Sequence, residues 1–195
     1  MIKFILGKQQ IIKKNKSTKN EKSMTKELDI IEIQKGILVH PVFITGKIKG
    51  GFSYQVTKKY PNVELSCVDM CSATKQEDLL GKTLFTFGKN CEVAIASIFC
   101  LKPVQKYPDM VIKQEPQNEN CVDLDSFNEG VSNIKEMTTS KSSYLFNFPV
   151  YVPYKLGNKI SSVEWKIAQK LIFGNISNAV ICINKKNETR NKNKS

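Results

Sequence analysis

Two segments of this sequence combine an apolar run, a short loop and the start of a helix, an arrangement suited to binding phosphate groups. The first segment runs from His40 to Phe52 and the second from Val152 to Glu164. In α/β proteins ligands bind at the carboxyl ends of strands, where helix N-termini present free N–H groups and a partial positive charge. Two such loops facing one another predict a cradle for a diphosphate. Two ordinary turns between a strand and a helix have the same pattern, so both interpretations stay open.

Both loops contain the residue types that a phosphate site needs. Glycine lets the backbone approach a phosphate closely, and lysine neutralises its charge. The glycines are Gly46, Gly50, Gly51 and Gly157. The lysines are Lys47, Lys49, Lys155 and Lys159. Solvation at the protein surface explains these lysines equally well.

His40 is the only histidine in the sequence, and it lies in the first segment. Its imidazole is a candidate acid–base group or phosphate contact, because it titrates near neutral pH. The interpretation that we favour is a hydrogen-bonded histidine at the end of a buried strand. Phe52 is expected either under a bound ribose or in the core, and Trp165 in the core.

The six cysteines do not have the spacing of a metal site. Cys67 and Cys71 form a C-x3-C pair, but no second pair of cysteines or histidines lies at a spacing typical of zinc sites. The chain is not short and shows no secretory signal, which argues against disulfides. The sequence predicts buried, reduced cysteines in a cytoplasmic or nuclear protein that uses neither a metal nor a cofactor.

The net charge of +12 is concentrated at the two ends of the chain. Residues 1–26 contain eight lysines and one glutamate, and residues 185–195 contain five basic residues and one glutamate. We predict a disordered basic extension over 1–26, a folded domain over 27–184 and a basic tail over 185–195. Such ends make weak contacts with polyanions but read no base sequence. A sequence-specific DNA reader is not expected, because Arg190 is the only arginine.

Between the basic ends, apolar runs alternate with amphipathic segments. Residues 28–34 are β-branched and apolar, and a second run over 37–43 is typical of a buried strand. Apolar positions four residues apart predict a helix over 52–60, which Pro61 ends. Residues 102–120 are rich in proline, glutamine and asparagine, which is typical of a long surface loop.

The remaining elements are each predicted from an apolar run or a helix cap. The predicted strands are a pair over 83–87 and 93–99, one over 145–151 and one over 179–183. Asp123 is predicted to cap a helix that has Leu124, Phe127, Val131 and Ile134 on one face. Ser161 and Glu164 are predicted to open a second helix, whose inner face contains Ile167, Ala168, Leu171 and Ile172. This alternation predicts an α/β fold in which helices cover both faces of a mixed or parallel sheet.

Several stretches, in the same order along the chain, resemble segments of the macro domain family. Residues 37–61 (ILVHPVF to GFSYQVTKKYP) resemble the family's I-x-H-x-V-N, G-x-M-G-x-G-I-A and following helix. Residues 79–82 (LLGK) and 93–99 (VAIASIF) resemble its LLG and IANLF pieces. Residues 152–165, which contain VPYKLG and end in Glu-Trp, resemble P-x-G-x-G-L-x-G-G-D-W. The resemblance covers about residues 28–184.

The similar branch is the small single-domain type that includes ADP-ribose-1″-phosphatases and ADP-ribosyl-glutamate hydrolases. The resemblance implies a three-layer α/β/α fold with a mixed central sheet, and ADP-ribose bound across the two loops. The residues at matching positions of the ligand loops are Val42, Phe43, Gly46, Ile48, Gly50, Gly51, Phe52, Tyr154, Gly157, Asn158, Lys159, Ser161 and Ser162.

The ligand loops also depart from the family pattern. Phe43 stands where the family has an asparagine that contacts the distal ribose, and residues 35–37 lack the aspartate that contacts adenine. Asn158, Lys159 and Ser161 replace glycines or the catalytic position of the second loop, and Ser161 is expected to cap its own helix.

Three functions therefore remain open: binding of ADP-ribose or a related nucleotide, hydrolysis of a phosphate or ADP-ribosyl group, and a scaffold that binds a protein partner. A cleft between the loops would favour binding, and a filled cleft would favour the scaffold. We expect a monomer. We expect no membrane partner, because no apolar run approaches spanning length.

Overall fold

The computed structural model of this protein describes residues 24–46, 48, 50–103 and 120–183. The strands are β1 (Met24–Glu27), β2 (Gly36–Phe43), β3 (Thr83–Phe87), β4 (Val93–Pro103), β5 (Asn120–Val122), β6 (Val150–Pro153) and β7 (Ala179–Ile183). The helical segments are α1 (Gly51–Lys59), α2 (Pro61–Ala73), α3 (Gln76–Leu79), α4 (Leu124–Thr139), α5 (Lys155–Asn158) and α6 (Ser162–Asn175).

The strands form one mixed sheet in the order β1-β7-β6-β2-β4-β3, and β5 pairs with β4. From β1 to β4 every neighbouring pair is parallel, whereas β3 and β5 run antiparallel to β4. The carboxyl ends of β1, β7, β6, β2 and β4 therefore lie at one edge of the sheet.

The central strand β2 is buried on both faces, as its continuous apolar run predicts. Ile37 and Val39 face a core that includes residues of α4 and α6. Leu38 and Val42 face a second core, which includes residues of α1 and α2. The predicted three-layer α/β/α fold with a mixed central sheet is confirmed.

Helix caps position the helices of the first core. The Asp123 carboxylate accepts the Ser126 N–H at 2.9 Å and pairs with Lys102, and these bonds lower the pKa of Asp123 to about 2, the Lys102 bond having the larger effect. The predicted cap of α4 is confirmed. The predicted inner face of α6 is wrong for Ile167, which is 46% exposed, whereas the expected burial of Trp165 is confirmed.

Several predicted elements are confirmed, among them the strand pair β3–β4, the helix α1 and the strand β7. Others are corrected. The apolar residues 28–34 contain a 3-10 turn at Ile30–Glu32, and the strand predicted over 145–151 begins only at Val150. Pro61 ends α1 but also begins α2, where it occupies the first turn and needs no N–H.

The strand β1 includes residues 24–26, which the sequence assigned to the basic extension. Residues 1–23, most of the predicted loop (104–119) and the predicted basic tail lie outside the described residues. Among the residues that the structure describes, no helix combines the length and apolarity that a bilayer crossing requires. The free cysteines are Cys67, Cys71, Cys91, Cys100 and Cys182, and the prediction of burial is wrong for the exposed Cys91.

Candidate functional site

The two loops predicted to bind a ligand follow adjacent parallel strands. β2 and β6 pair through Ile37 with Val150 and Leu38 with Tyr151. Residues 44–50, here called loop 1, follow β2, and residues 154–161, called loop 2, follow β6. Because the strands are parallel, both loops leave the same edge of the sheet, which is where ligands bind in α/β folds.

Loop 1 ends at a helix start that no side chain caps. Gly50 and Gly51 have φ angles of 51° and 59°, a left-handed conformation that glycine adopts without steric cost. A Cβ added at either glycine would meet no atom of the described residues within 4 Å. The first turn of α1 contains no acidic residue. Its N–H groups lack helical partners, so this end of α1 is open to an anion.

The other predicted contacts of loop 1 hold it against the protein. Val42 is buried in the second core. The Gly46 N–H donates to the Phe43 carbonyl at 2.9 Å, and a Cβ at Gly46 would lie 3.1 Å from the Cys71 sulfur. Glycine is needed here because loop 1 turns tightly against α2. Ile48 is half-buried.

Loop 2 begins with a turn in which four consecutive residues have left-handed backbone angles. The φ angles are 47° at Lys155, 51° at Leu156, 73° at Gly157 and 66° at Asn158. This conformation costs roughly 1–2 kcal/mol for an ordinary residue. The Leu156 side chain is fully buried in the first core and fixes the turn. Backbone strain of this kind clusters at ligand sites.

Loop 2 contacts two aromatic side chains that flank loop 1, Phe52 of α1 and Phe43 of β2. A Cβ added at Gly157 would lie 2.8 Å from the Cβ of Phe52, so the first turn of α1 packs directly on loop 2. The Lys159 ammonium lies 5.8 Å from the centroid of the Phe43 ring, a cation–π distance. Partial burial lowers the pKa of Lys159. Phe52 and Gly157 therefore fill part of the space between the loops.

The start of α6 is closed to an anion by its own residues. The Ser161 hydroxyl accepts the Glu164 N–H at 3.2 Å, and the Glu164 carboxylate accepts the Ser161 N–H at 2.8 Å. The expected capping role of Ser161 is confirmed. These hydrogen bonds lower the pKa of Glu164 and keep a negative charge at this helix start. The symmetrical cradle of two open helix starts is therefore not formed.

The outer part of loop 2 presents an aromatic ring and a lysine. Tyr154 is 40% exposed, and its ring lies 5.5 Å from the Trp165 ring in an edge-to-face contact. The Lys155 ammonium lies 5.8 Å from the Tyr154 ring and donates to the Ser162 hydroxyl at 2.7 Å. Tyr154 therefore presents part of its ring to solvent at the start of loop 2.

His40 lies beneath Phe52 and is completely buried. Its Nδ1 is 3.3 Å from the Ser97 hydroxyl, and its Nε2 has no hydrogen-bond partner among the described residues. Burial and the charge of Lys159 lower the pKa of His40 to about 3. The favoured interpretation of a hydrogen-bonded histidine on a buried strand is confirmed, but His40 lies within β2, three residues before its end at Phe43, rather than at the end of the strand. The imidazole is neutral at physiological pH.

The structure brings Phe43, Phe52, Gly157 and Lys159 together beside the open start of α1. Sequence reasoning did not predict the left-handed turn of loop 2 or the role of Ser97 as the partner of His40. The consecutive residues Gly157 and Asn158, which both tolerate positive φ, were the only local signal for the turn. Within the described ranges, no group of three or more histidine, cysteine or acidic residues is arranged to hold a metal ion.

Solved structures of low sequence identity share this fold. A Bacteroides thetaiotaomicron protein of unknown function is 15% identical, with a TM-score of 0.64 over 84% of this chain and 98% of that chain. The macrodomain of Mycobacterium tuberculosis DarG is 17% identical, with a TM-score of 0.58 over 82% of this chain and 97% of that chain.

Thermosipho africanus DarTG, solved in complex with ADP-ribose, is 17% identical, with a TM-score of 0.57 over 85% of this chain and 43% of that chain. No family model and no curated protein matches the sequence. The fold that the resemblance implied is nevertheless confirmed by these structures: the chain has the macro domain fold.

Proposed function

We propose that this protein binds ADP-ribose or a related ADP-ribosyl nucleotide, with its diphosphate at the start of α1. The observation that carries the proposal is the uncapped helix start at Gly50 and Gly51, where an added Cβ would meet no described atom within 4 Å. Free N–H groups and the helix dipole attract an anion at such a position. The similarity in fold to DarTG, which was solved with ADP-ribose, supports this ligand class.

Loop 2 is expected to contribute side chains rather than a second helix start. The Glu164 carboxylate would repel a phosphate at α6, whereas the ammonium groups of Lys155 and Lys159 carry the charge that a diphosphate needs. Tyr154 offers an exposed ring beside them. The proposed contacts are Phe43, Ile48, Gly50, Gly51, Phe52, Tyr154, Gly157, Asn158, Lys159 and Ser162.

A scaffold that binds a protein partner is the second candidate, and one observation favours it. The contact between Phe52 and Gly157 is too close to admit even a methyl group. If Phe52 keeps this position in solution, a nucleotide cannot lie between the loops and is confined to the outer face of loop 1.

An ADP-ribose-1″-phosphatase or ADP-ribosyl-glutamate hydrolase is the less favoured alternative. Such an enzyme needs an acid–base group that reaches the substrate. His40 is fully buried beneath Phe52 and neutral, and a catalytic role would require Phe52 to move away.

Calorimetric titration of the whole chain with ADP-ribose tests the proposal. Gly51→Ala and Gly51→Glu form a matched pair, because both place an ordinary residue at a φ of 59° and only the glutamate adds a carboxylate. We expect binding by the wild type and Gly51→Ala, and a loss of at least tenfold in affinity for Gly51→Glu beyond that of Gly51→Ala. Parallel titrations with ADP and ribose 5-phosphate identify the part of the nucleotide that is bound.

No binding by a wild-type protein with an intact fold would reject the nucleotide proposal and favour the scaffold. Equal affinities of the two variants would show that the phosphates do not lie at the start of α1. Thermal unfolding of both variants controls for misfolding.

A further inference from the structure

The imidazole of His40 contains a buried polar atom that the described residues leave unpaired. His40 is completely buried on β2, and its Nδ1 lies 3.3 Å from the Ser97 hydroxyl on β4. Its Nε2 has no hydrogen-bond partner among the described residues. Buried polar groups in folded proteins are almost always paired, because an unpaired one has lost its hydrogen bonds to water without replacement. The Nε2 atom therefore points to a partner from outside this part of the chain.

The unpaired nitrogen lies on the face of the sheet that α1 covers. His40 follows Val39, which faces the first core, so its side chain lies on the opposite face of β2. Because Nδ1 is turned towards Ser97 of β4, Nε2 is turned away from β4. The Phe52 ring contacts the imidazole on this face, with the ring centroids 6.2 Å apart and an interplanar angle of 70°. Phe52 is thus the side chain that covers the imidazole at the start of α1.

Phe52 is weakly held for a side chain that covers a buried group. It is only half-buried and lies in the first turn of α1, directly after Gly50 and Gly51. No side chain of the described residues caps this helix start, and a Cβ at either glycine would meet no described atom within 4 Å. On the side of loop 2 the ring packs against Gly157, which has no side chain. Displacement of the Phe52 ring therefore breaks only van der Waals contacts.

The chemistry of the imidazole favours a hydroxyl group as the missing partner. A neutral imidazole carries its proton on one nitrogen, and the Ser97 hydroxyl can pair with either tautomer. Nε2 is therefore a donor in one tautomer and an acceptor in the other. A hydroxyl group pairs with both, whereas an ionised phosphate oxygen pairs only with the donor. Burial, together with the charge of Lys159, lowers the pKa of His40 to about 3, so the imidazole offers no positive charge to a phosphate.

We propose that Phe52 is a gate in the nucleotide site, and that its displacement lets the His40 Nε2 form a hydrogen bond with a ribose hydroxyl of the ligand. The inference rests on the proposed nucleotide function and adds the residue that controls entry. With the diphosphate at the start of α1, a ribose attached to it reaches the position that Phe52 vacates. ADP-ribose has a ribose on each side of its diphosphate, and either ribose has suitable hydroxyl groups. The closed position of Phe52 lowers the apparent affinity, because only open molecules bind the sugar.

Nitrogen NMR of the full-length protein, with isotope-labelled histidine and no histidine tag, tests the hydrogen bond. His40 is the only histidine, so its ring nitrogens give the only imidazole signals. We expect saturating ADP-ribose to shift the Nε2 signal. Inorganic pyrophosphate has no sugar and should leave this signal in place. A shift with ADP assigns the contact to the adenosine ribose, and a shift with ADP-ribose alone assigns it to the second ribose.

Calorimetric titration of Phe52→Ala tests the gate. We expect this variant to bind ADP-ribose about tenfold more tightly than the wild type, as it would if about one wild-type molecule in ten is open. Its affinity for pyrophosphate should equal that of the wild type. The matched control is Phe85→Ala, which removes a half-buried ring from β3, a strand that β4 separates from β2. The control should bind ADP-ribose as the wild type does.

The failure of the gate and the failure of the nucleotide proposal give different results. If the wild type binds ADP-ribose, a fixed Nε2 signal or an unchanged affinity of Phe52→Ala would overturn the gate and leave the nucleotide proposal standing. If neither the wild type nor Phe52→Ala binds ADP-ribose, and thermal unfolding shows both to be folded, the nucleotide proposal fails and the gate fails with it.

Discussion

Among single residues, the buried imidazole of His40 makes the stability of the protein depend on pH. Burial, together with the charge of Lys159, lowers its pKa from 6.5 to about 3. The folded-state pKa lies below the unfolded value, so between these two pH values the unfolded chain binds a proton that the native protein does not. The contribution of the neutral His40 imidazole to the free energy of unfolding is therefore complete above pH 6.5 and is lost as the pH falls towards 3.

We expect the free energy of unfolding to fall by about 2 kcal/mol between pH 7 and pH 5, since a full pKa unit is worth about 1.4 kcal/mol. This window isolates His40. The lowered pKa values of Asp123 and Glu164 affect stability mainly below about pH 5, and the raised pKa values of Cys67 and Cys182 affect it at alkaline pH.

Urea unfolding at both pH values measures this effect, with His40→Gln as the control. The glutamine amide can still bond to Ser97 but does not titrate, so its stability should be the same at pH 7 and pH 5. A loss of similar size in His40→Gln would show that another group is responsible. NMR spectra of the single histidine give a second check, because its ring resonances should stay fixed over this window in the native protein.

Residue types and spacing predicted part of the candidate site. Phe43, Gly51, Gly157 and Lys159 were placed together because strand–loop–helix patterns are local, and parallel strands bring such loops to one edge. The pairing of His40 with Ser97 could not be predicted, because the two residues are 57 positions apart and meet only through the register of β2 and β4.

Secondary-structure elements with local signals were predicted well. The caps Asp123 and Ser161 each lie within three residues of the N–H group that they accept, so the starts of α4 and α6 are encoded in adjacent residues. The helix α2 was missed because its apolar residues do not all lie on one buried face: Leu65 is 67% exposed and Val68 is 45% exposed. The strand β1 was missed because its Met-Thr-Lys-Glu sequence is polar and its pairing with β7 is distant along the chain.

The packing of loop 2 on α1 depends on the absence of a side chain at Gly157. Gly157→Ala would place a methyl group 2.8 Å from the Cβ of Phe52 and would also force an alanine to a φ of 73°. We expect a loss of about 1–3 kcal/mol in the free energy of unfolding, from overpacking and backbone strain.

Chemical denaturation checks this expectation against Gly174→Ala. A Cβ at Gly174 meets no described atom within 4 Å, and the residue lies within the helix α6, so alanine should leave stability unchanged or raise it by about 0.5–1 kcal/mol. If Gly157→Ala is as stable as Gly174→Ala, loop 2 and α1 are not packed as closely as the contact with Phe52 indicates.

For the molecule as a whole, the order of the strands separates two surfaces. Loops 1 and 2 leave the carboxyl edge of the parallel strands, and the end of β3 at Phe87 lies at their amino edge. The strand β1 starts at the amino edge, and β7 ends at the carboxyl edge.

The domain is completed by the four residues of β1, which cover one edge of β7. Met24 to Glu27 pair with Val180 to Ile183, and their removal would expose the backbone of a strand whose Val180 and Cys182 side chains are buried. We expect a protein that starts at residue 28 to lose about 2–4 kcal/mol relative to one that starts at residue 24, at roughly 0.5–1.5 kcal/mol for each ladder hydrogen bond.

Thermal and urea unfolding of the two truncated proteins measure the contribution of β1. The full-length chain is the control: we expect a protein that starts at residue 24 to match its stability, because β1 is the first element of the described residues. Equal stability of the proteins that start at residues 24 and 28 would contradict the assignment of β1 to the sheet. The domain boundary predicted from the sequence at residue 27 would then be the better one.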